Sequence, residues 1–189
     1  MFKPGMLFFT TKKPGSDWIS DYIRWFEQRT DPNAVFTHCG IIISDDMINT
    51  LDCQPVAQII EATWPTVMKN TTDDYRDMKS RTVILEHSVP DLIALNDIIN
   101  EYIGKKYGII QLLGRAIYKL FKLEIHPLFK GIVCCELILY WLKKFLPTFT
   151  YVIPEDTDVQ QLYNLCIKNG WVVKYICDYG TETFVEVKK

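Results

Sequence analysis

The sequence predicts an α+β domain, because its strand and helix signatures fall in blocks rather than alternating along the chain. Runs rich in β-branched residues occupy 35–43, 57–62 and 81–86 and return at 171–187, while helical periodicity dominates 91–169. No linker, repeat or low-complexity stretch divides the 189 residues, so residues 1–189 read as one domain with a sizeable core.

Each element has its own local reason. Pro4-Gly5 is a turn that feeds Met6-Leu7-Phe8-Phe9 into a buried strand. Pro14-Gly15-Ser16-Asp17 supplies a second turn and an N-cap for a helix from about Trp18 to Gln28. Its expected apolar face is Trp18, Ile19, Tyr22, Trp25 and Phe26, and Asp31-Pro32-Asn33 ends it. Strands follow at 35–43, 57–62 and Arg81 to Glu86. After Pro90-Asp91, Leu92, Leu95, Ile99, Tyr102 and Ile103 lie on one helical face, and Gly104 closes that helix. Residues 109–122 repeat the pattern with Ile110, Leu113, Ile117 and Phe121. Pro127 and Gly131 bracket a loop before an apolar helix from Cys134 to about Phe145, stopped by Pro147. Asp156 is the expected cap of a last helix ending at Asn169-Gly170. Trp171 to Cys177, the turn Asp178-Tyr179-Gly180, and Thr183 to Val187 form a hairpin.

Composition excludes several classes. Hydrophobic residues make up 48% and charged ones 23%, as in an ordinary soluble globular protein. A net charge of −2 and a pI near 5.9 give no global attraction to nucleic acid or anionic membrane, and no nucleic-acid partner is expected. The six cysteines (Cys39, Cys53, Cys134, Cys135, Cys166 and Cys177) are too sparse for a disulfide scaffold and form no CxxC pair, so no structural zinc is expected. No P-loop, dinucleotide glycine fingerprint, HExxH or EF-hand loop occurs. The first residues carry no signal-peptide pattern, and a reduced, cytoplasmic protein is the expectation.

Chemistry concentrates at Cys134-Cys135-Glu136. A cysteine in the first turn of a helix faces the positive end of the macrodipole and N–H groups that lack intrahelical acceptors. Both stabilise a thiolate and, later, an oxyanion. Gly131, in the preceding loop, stands where backbone must approach closely. Cys135 points about 100° away from Cys134 around the helix. Both positions are followed by apolar residues at helical spacing, so periodicity does not choose between them, and either could be an inert buried thiol.

A nucleophilic cysteine requires a base, and the chain has three histidines. His38 lies in the rigid strand Phe36-Thr37-His38-Cys39-Gly40-Ile41, whereas His87 and His126 read as surface residues. Glu61, inside the apolar strand Ile59-Ile60-Glu61-Ala62, is a costly carboxylate unless paired. Asp45, Asp46 and Asp52 are turn residues less suited to orienting an imidazole. Residues 102–123 carry Lys105, Lys106, Arg115, Lys119 and Lys122 and no acid. Such a basic amphipathic stretch is either a solvated face or a peripheral membrane contact.

In the order and spacing of these motifs the chain resembles the circularly permuted branch of the NlpC-type papain-like superfamily, the YiiX-like and lecithin:retinol-acyltransferase-like group. Lys3-Pro4-Gly5-Met6-Leu7 resembles that family's Pro-Gly-Asp-hydrophobic opening, with Met6 in place of the acid. Thr37-His38-Cys39-Gly40-Ile41 resembles its Ser/Thr-His-x-Gly strand, Ile60-Glu61-Ala62 its hydrophobic-Glu-Ala segment, and Gly104-Lys105-Lys106-Tyr107 its Gly-x-x-Tyr turn. Cys134-Cys135-Glu136-Leu137 resembles its Cys-Ser-Glu-Leu helix start, and the likeness covers roughly residues 3–160.

The resemblance implies a permuted papain-like fold, an antiparallel sheet packed against helices. In it Cys134 is the nucleophile, Cys135 takes a serine position, His38 is the base, Glu61 orients it and Tyr107 contacts substrate. The implied activity is that of an amidase, peptidase or acyltransferase working through a thioester on a peptide, lipid or lipopeptide, with no metal or organic cofactor. Membrane contact would fall to Lys105, Lys106, Arg115 and Lys119. The alternative is a papain-like module that binds without turnover.

Overall fold

The structure, a computed structural model, describes residues 2–15, 18–29, 31–44, 47–48, 55–76, 80–88, 90–108, 111, 131–181 and 183–187. Nine strands are found among these residues: β1 (Leu7–Lys12), β2 (His38–Ile42), β3 (Met47–Ile48), β4 (Pro55–Val56), β5 (Gln58–Ala62), β6 (Val67–Thr71), β7 (Ser80–Glu86), β8 (Val172–Cys177) and β9 (Val185–Glu186). Four α-helices accompany them: α1 (Trp18–Glu27), α2 (Leu92–Tyr102), α3 (Cys134–Phe145) and α4 (Val159–Lys168). The α+β class expected from the sequence is present.

Seven strands form one sheet in the order β6-β5-β2-β1-β7-β8-β9, with every pairing antiparallel. β1 lies at the centre because Leu7-Phe8-Phe9 is apolar on both sides and both sheet faces are covered there. Its register sets Phe8 against Gly40 and Thr10 against His38 on one flank, and Leu7 against Leu85 on the other.

Strand alternation sends side chains to two separate cores. Leu7, Phe9, Cys39, Ile41, Ile60 and Leu85 meet helical residues such as Ile98, Leu137, Trp141 and Leu162 in the larger one. Phe2, Met6, Phe8, Ile42, Ile59, Ile84 and Tyr175 make the smaller one. Met6, where the resembling family has an acid, is therefore an apolar side chain in an apolar place.

Capping fixes the helices that frame the site. Asp91 opens α2 by accepting from the N–H groups of Ile93 and Ala94, both at 3.0 Å. Gly104 follows it at φ 78°, a left-handed conformation that glycine adopts without strain. In α3, Glu136 reaches back to accept from the N–H of Val133 at 3.0 Å, which fixes Cys134 as the first helical residue.

Several expectations need correction. The cap of α4 is Asp158, which accepts from Gln161 N–H at 2.7 Å, while Asp156 ends a preceding 3₁₀ turn, Pro154–Asp156. Among residues 20–27 of α1 the buried side chains are Ile23, Phe26 and Glu27, the side chains of Trp18 and Ile19 lying outside the described ones; Trp25, expected in the core, is 47% exposed and packs beside Tyr22 with the Arg29 guanidinium over its ring. β6 was not foreseen. Apart from residue 111, the expected helix at 109–122, with Arg115, Lys119 and Lys122, lies outside the described residues, as do His126, Cys53, Asp45, Asp46 and Asp52. Among the described residues no helix is long and apolar enough to cross a membrane.

Candidate active site

His38 and Glu61 meet because their strands are neighbours. β2 and β5 pair with Ile41 opposite Ile60 and Ile42 opposite Ile59, so even-numbered residues of β2 share a face with odd-numbered ones of β5. His38 Nε2 lies 2.5 Å from Glu61 Oε2. Glu61 is 0% exposed, and burial at that level is tolerable only if its oxygens are fully bonded.

They are bonded. Asn70 Nδ2 donates to Glu61 Oε1 at 2.5 Å, and the Tyr75 hydroxyl donates to Oε2 beside His38. Asn70 comes from β6, where it pairs with Ile59 and so lies diagonal to Glu61 on the same face. Tyr75 ends the short 3₁₀ turn Thr72–Tyr75. Its ring stacks on the His38 ring at 6.1 Å between centroids, and Phe8 meets the same imidazole edge-on at 6.0 Å. Neither Asn70 nor Tyr75 was expected from the sequence. Asn70 sits in a polar edge strand and Tyr75 in an acidic turn, and only tertiary pairing brings them to the carboxylate.

The thiol arrives from the opposite direction. α3 packs against β2, and its first residue, Cys134, interacts electrostatically with His38. Because Nε2 is held by Glu61, Nδ1 is the ring nitrogen left for sulfur. Cys135 Sγ instead donates to the Thr157 carbonyl at 3.0 Å. Cys39, on the opposite face of β2 from His38, lies in the same buried core as Cys134 and Cys135. Cys39, Cys134 and Cys135 are all buried.

Electrostatics give the cluster a definite resting state. Burial disfavours a charged His38, but the Glu61 carboxylate and the hydrogen bond to Cys134 outweigh it, pushing the imidazole up to about 10. Burial also opposes ionised Glu61, yet the His38 charge and the hydrogen bonds from His38, Tyr75 and Asn70 hold it below the usual carboxylate range. Tyr75 is pushed well above an ordinary phenol by burial and by Glu61.

For Cys134 the neighbouring Cys135 thiol pulls downward, but the Cys39 thiol and burial push upward and prevail. A thiol depressed well below its ordinary value is the expectation from helix dipole and histidine alone, and it is corrected here. The cause is the second, buried thiol at position 39, itself raised by burial to about 11. The resting site is an imidazolium–carboxylate pair beside a protonated thiol.

Two cavities meet at this point. A narrow one of about 40 Å³ reaches Cys134 between Ile23, Phe26, Val133 and Val159. A wider cleft of about 400 Å³ runs over His38 and is lined by Thr63, Trp64, Asn70, Asp74 and Tyr75. Tyr107 lines both, as do Ile23 and Thr37. Tyr107 is held by a bridge to Ile132, next to Gly131. A Cβ on Gly131 would stand 2.5 Å from the Gly108 nitrogen, so the glycine permits the close backbone approach that sets Tyr107 and Cys134 side by side.

The remaining candidates lie elsewhere. His87 packs against Trp171 at 5.1 Å, away from these cavities. Lys105 lies over the Tyr102 ring and pairs with Glu101 at 3.8 Å, and Lys106 is exposed. Among the described residues no group of three or more His, Cys, Asp and Glu side chains is arranged to hold a metal ion. The arrangement as a whole can bind a carbonyl at a thiol, hold an oxyanion at a helix start and deliver a proton from an imidazolium. No protein-family model, curated protein or solved structure matches the chain.

Proposed function

We propose that this chain is a cysteine hydrolase of permuted papain-like architecture that cleaves an amide or acyl bond through a thioester on Cys134. The observation that carries the reading is the fully bonded, buried Glu61, which holds His38 by Nε2 at a site where Cys134, the first residue of an apolar helix, also acts on the imidazole. A carboxylate taken entirely out of water and given three donors is an expensive arrangement. Orienting a catalytic imidazole is a use that accounts for it.

The attacking species is the Cys134 thiolate, formed by loss of its proton to solvent hydroxide, beside the His38 imidazolium, which is already protonated and so is not the base for this step. Sγ bonds to the substrate carbonyl carbon, and the N–H at the start of α3 receives the oxyanion. The imidazolium then passes its proton to the departing nitrogen or oxygen, leaving a thioester. Water, losing a proton to the now neutral His38, attacks the thioester and releases the acid, leaving the Cys134 thiolate beside the imidazolium. Glu61 keeps the imidazole in place throughout and itself stays ionised.

A peptide, a lipid or a lipopeptide amide would enter along the wider cleft past Trp64 and Tyr107. The exposed cations Lys105 and Lys106, with Arg115 and Lys119, favour a membrane-borne version of that substrate. One observation favours the alternative of a module that binds without turnover: Cys134 is 4% exposed and its thiol is raised.

Mass spectrometry separates the two readings. Incubation with a panel of peptide amides and acyl esters should leave an acyl adduct on Cys134. Cys134→Ala should give no adduct and no turnover, and Cys135→Ser should retain both. Absence of any adduct across the panel at alkaline pH would favour the binding module.

A further inference from the structure

Cys134 is 4% exposed, and the cavity that reaches it holds only about 40 Å³, against about 400 Å³ in the neighbouring cleft. One water needs about 10–15 Å³ of such space, so about three waters fill the narrow cavity. An amide or ester together with its acyl group is larger than that. For such a substrate to reach the sulfur, part of the wall over Cys134 has to move first. Two apolar side chains of that wall, Ile23 and Phe26, come from α1, and Ile23 also borders the wider cleft. We propose that α1 is a lid over Cys134, held shut by a polar latch at Arg24, and that its opening joins the two cavities into one substrate channel. Its use as a substrate gate rests on the hydrolase reading; the opening itself does not, and it is measured without turnover.

The latch is built from named bonds. Arg24 Nη2 donates to the Thr11 hydroxyl at 2.8 Å and to the Lys12 carbonyl, both at the end of β1. Arg24 Nη1 donates to Asp21 Oδ1 at 3.2 Å, and Asp21 Oδ2 accepts from the Gly15 N–H at 2.8 Å. The Arg24 side chain is 13% exposed, so little water competes for these charge-assisted bonds. Three residues on, Glu27 Oε1 accepts from the N–H of Val159, the first residue of α4, at 3.3 Å.

Packing selects α1 over the other walls of the cavity. Ile23 and Phe26 are buried, yet neither is a member of the larger or the smaller core. Val133 leads into α3, whose Leu137, Ile138 and Trp141 are fully buried in the larger core. Val159 opens α4, rooted in the same core by Leu162 and Cys166. An element fastened by polar bonds and two side chains opens at less cost than one anchored in a core. The shut lid also accounts for the burial of Cys134 without making the site inert: the thiol is covered at rest and reached when α1 lifts.

The test labels the full chain at one fixed alkaline pH with N-phenylmaleimide, a reagent too large for the narrow cavity, and reads each cysteine by peptide mapping. Cys166, 0% exposed within α4, is the internal reference, because only unfolding of the core frees it. Wild-type Cys134 should label faster than Cys166, at a rate that barely responds to low urea, since a local opening exposes little surface. Arg24→Met keeps the aliphatic stem and removes the guanidinium, and Thr11→Val keeps the shape and removes one acceptor. Loss of a hydrogen bond to a charged group shifts an equilibrium by about 10–100-fold. Arg24→Met should therefore speed Cys134 labelling by about that factor, Thr11→Val by less, and both should leave Cys166 unchanged. Wild-type Cys134 labelling in step with Cys166 at every urea concentration overturns the lid. So does an Arg24→Met variant that leaves Cys134 unchanged or speeds both cysteines equally. The wild-type urea series decides the question even if both variants fail to fold. Failure of the hydrolase reading would appear separately, as the missing acyl adduct.

Discussion

The ring of Phe8 occupies the space over Gly40 that any side chain there would need: a Cβ on Gly40 would stand 2.3 Å from Phe8 Cε1 and 2.7 Å from the Ile60 carbonyl oxygen. Phe8 in turn meets both His38 and Tyr75, at 6.0 and 5.1 Å between centroids. The missing side chain at position 40 is thus what lets an aromatic platform lie under the imidazole. Gly40→Ala should force Phe8 aside and cost about 1–3 kcal/mol, the usual range for overpacking a tight interior. Urea unfolding checks the stability. A change in the His38 ring resonances by NMR checks that the displaced platform is the one beneath the imidazole.

The resting charges predict an alkaline pH–rate profile. Cys134 is raised above its ordinary value, so attack requires a pH high enough to strip its proton, and kcat/KM should climb through the neutral range. His38 donates to the leaving group only while protonated, so the rate should fall again near its value of about 10. Iodoacetamide labelling of Cys134, followed by peptide mapping, should rise on the same acidic limb. Rapid selective labelling in mild acid would refute the raised thiol.

Removing the tyrosine hydroxyl tests the carboxylate. Tyr75→Phe deletes one of the donors to ionised Glu61, and a hydrogen bond to a charged group contributes about 1.5–3 kcal/mol. Glu61 is depressed below 4.5, so its contribution is present above that value and lost as pH falls through the folded one. The gap between variant and wild type in urea midpoint should therefore be full at neutral pH and close in acid. The His38 contribution has the opposite sense: it is complete below 6.5 and disappears as pH rises through about 10.

Glu61→Gln keeps the shape of the side chain but removes the charge that holds the imidazolium. Turnover should drop by about 10–10⁴-fold, the span seen for orienting groups in triads. The alkaline limb of the pH profile should also move down toward an ordinary histidine, a shift that a purely structural lesion would not produce. Unchanged turnover and an unmoved limb would pass the orienting role to another group.

Lys105 and Lys106 flank the Tyr107 end of the cleft. Neutralising both should weaken binding to vesicles containing anionic lipid, most strongly at low salt, because surface attraction is screened over about 10 Å at 0.1 M. Vesicle flotation across a salt series measures this. Equal binding by wild type and variant at every salt concentration would mark the pair as a solvated face, with Lys105 already engaged by Glu101 and Tyr102.

Much of this site was legible in the sequence because local rules determine it. Cys134 at a helix start, His38 on a stiff strand and Glu61 as an acid in an apolar run each stand out against their neighbours. Asp91 and Gly104 bracket α2 through capping chemistry that needs no tertiary partner. β6 escaped because Val67-Met68-Lys69-Asn70-Thr71 is an edge strand with little apolar alternation, and Asn70 was lost with it. The buried face of α1 was misjudged because aromatic residues surround that helix and several stripes fit the helical period. The raised Cys134 thiol was illegible for a different reason: its cause is Cys39, a residue 95 positions away whose contact only the folded sheet creates.

The parts of the site are also unequally distributed along the chain. Phe8, His38, Gly40, Glu61, Asn70 and Tyr75 all precede residue 76, and they assemble around strands that are close in sequence. Cys134 joins only when α3 docks on β2. Closing that long loop is the slower kind of step in folding, because chain entropy must be lost before the distant contact forms. During synthesis, then, the imidazole and its carboxylate can be in place well before the thiol. Until α3 docks, the Cys134 sulfur is neither oriented nor enclosed, and the imidazole–carboxylate pair stands without it.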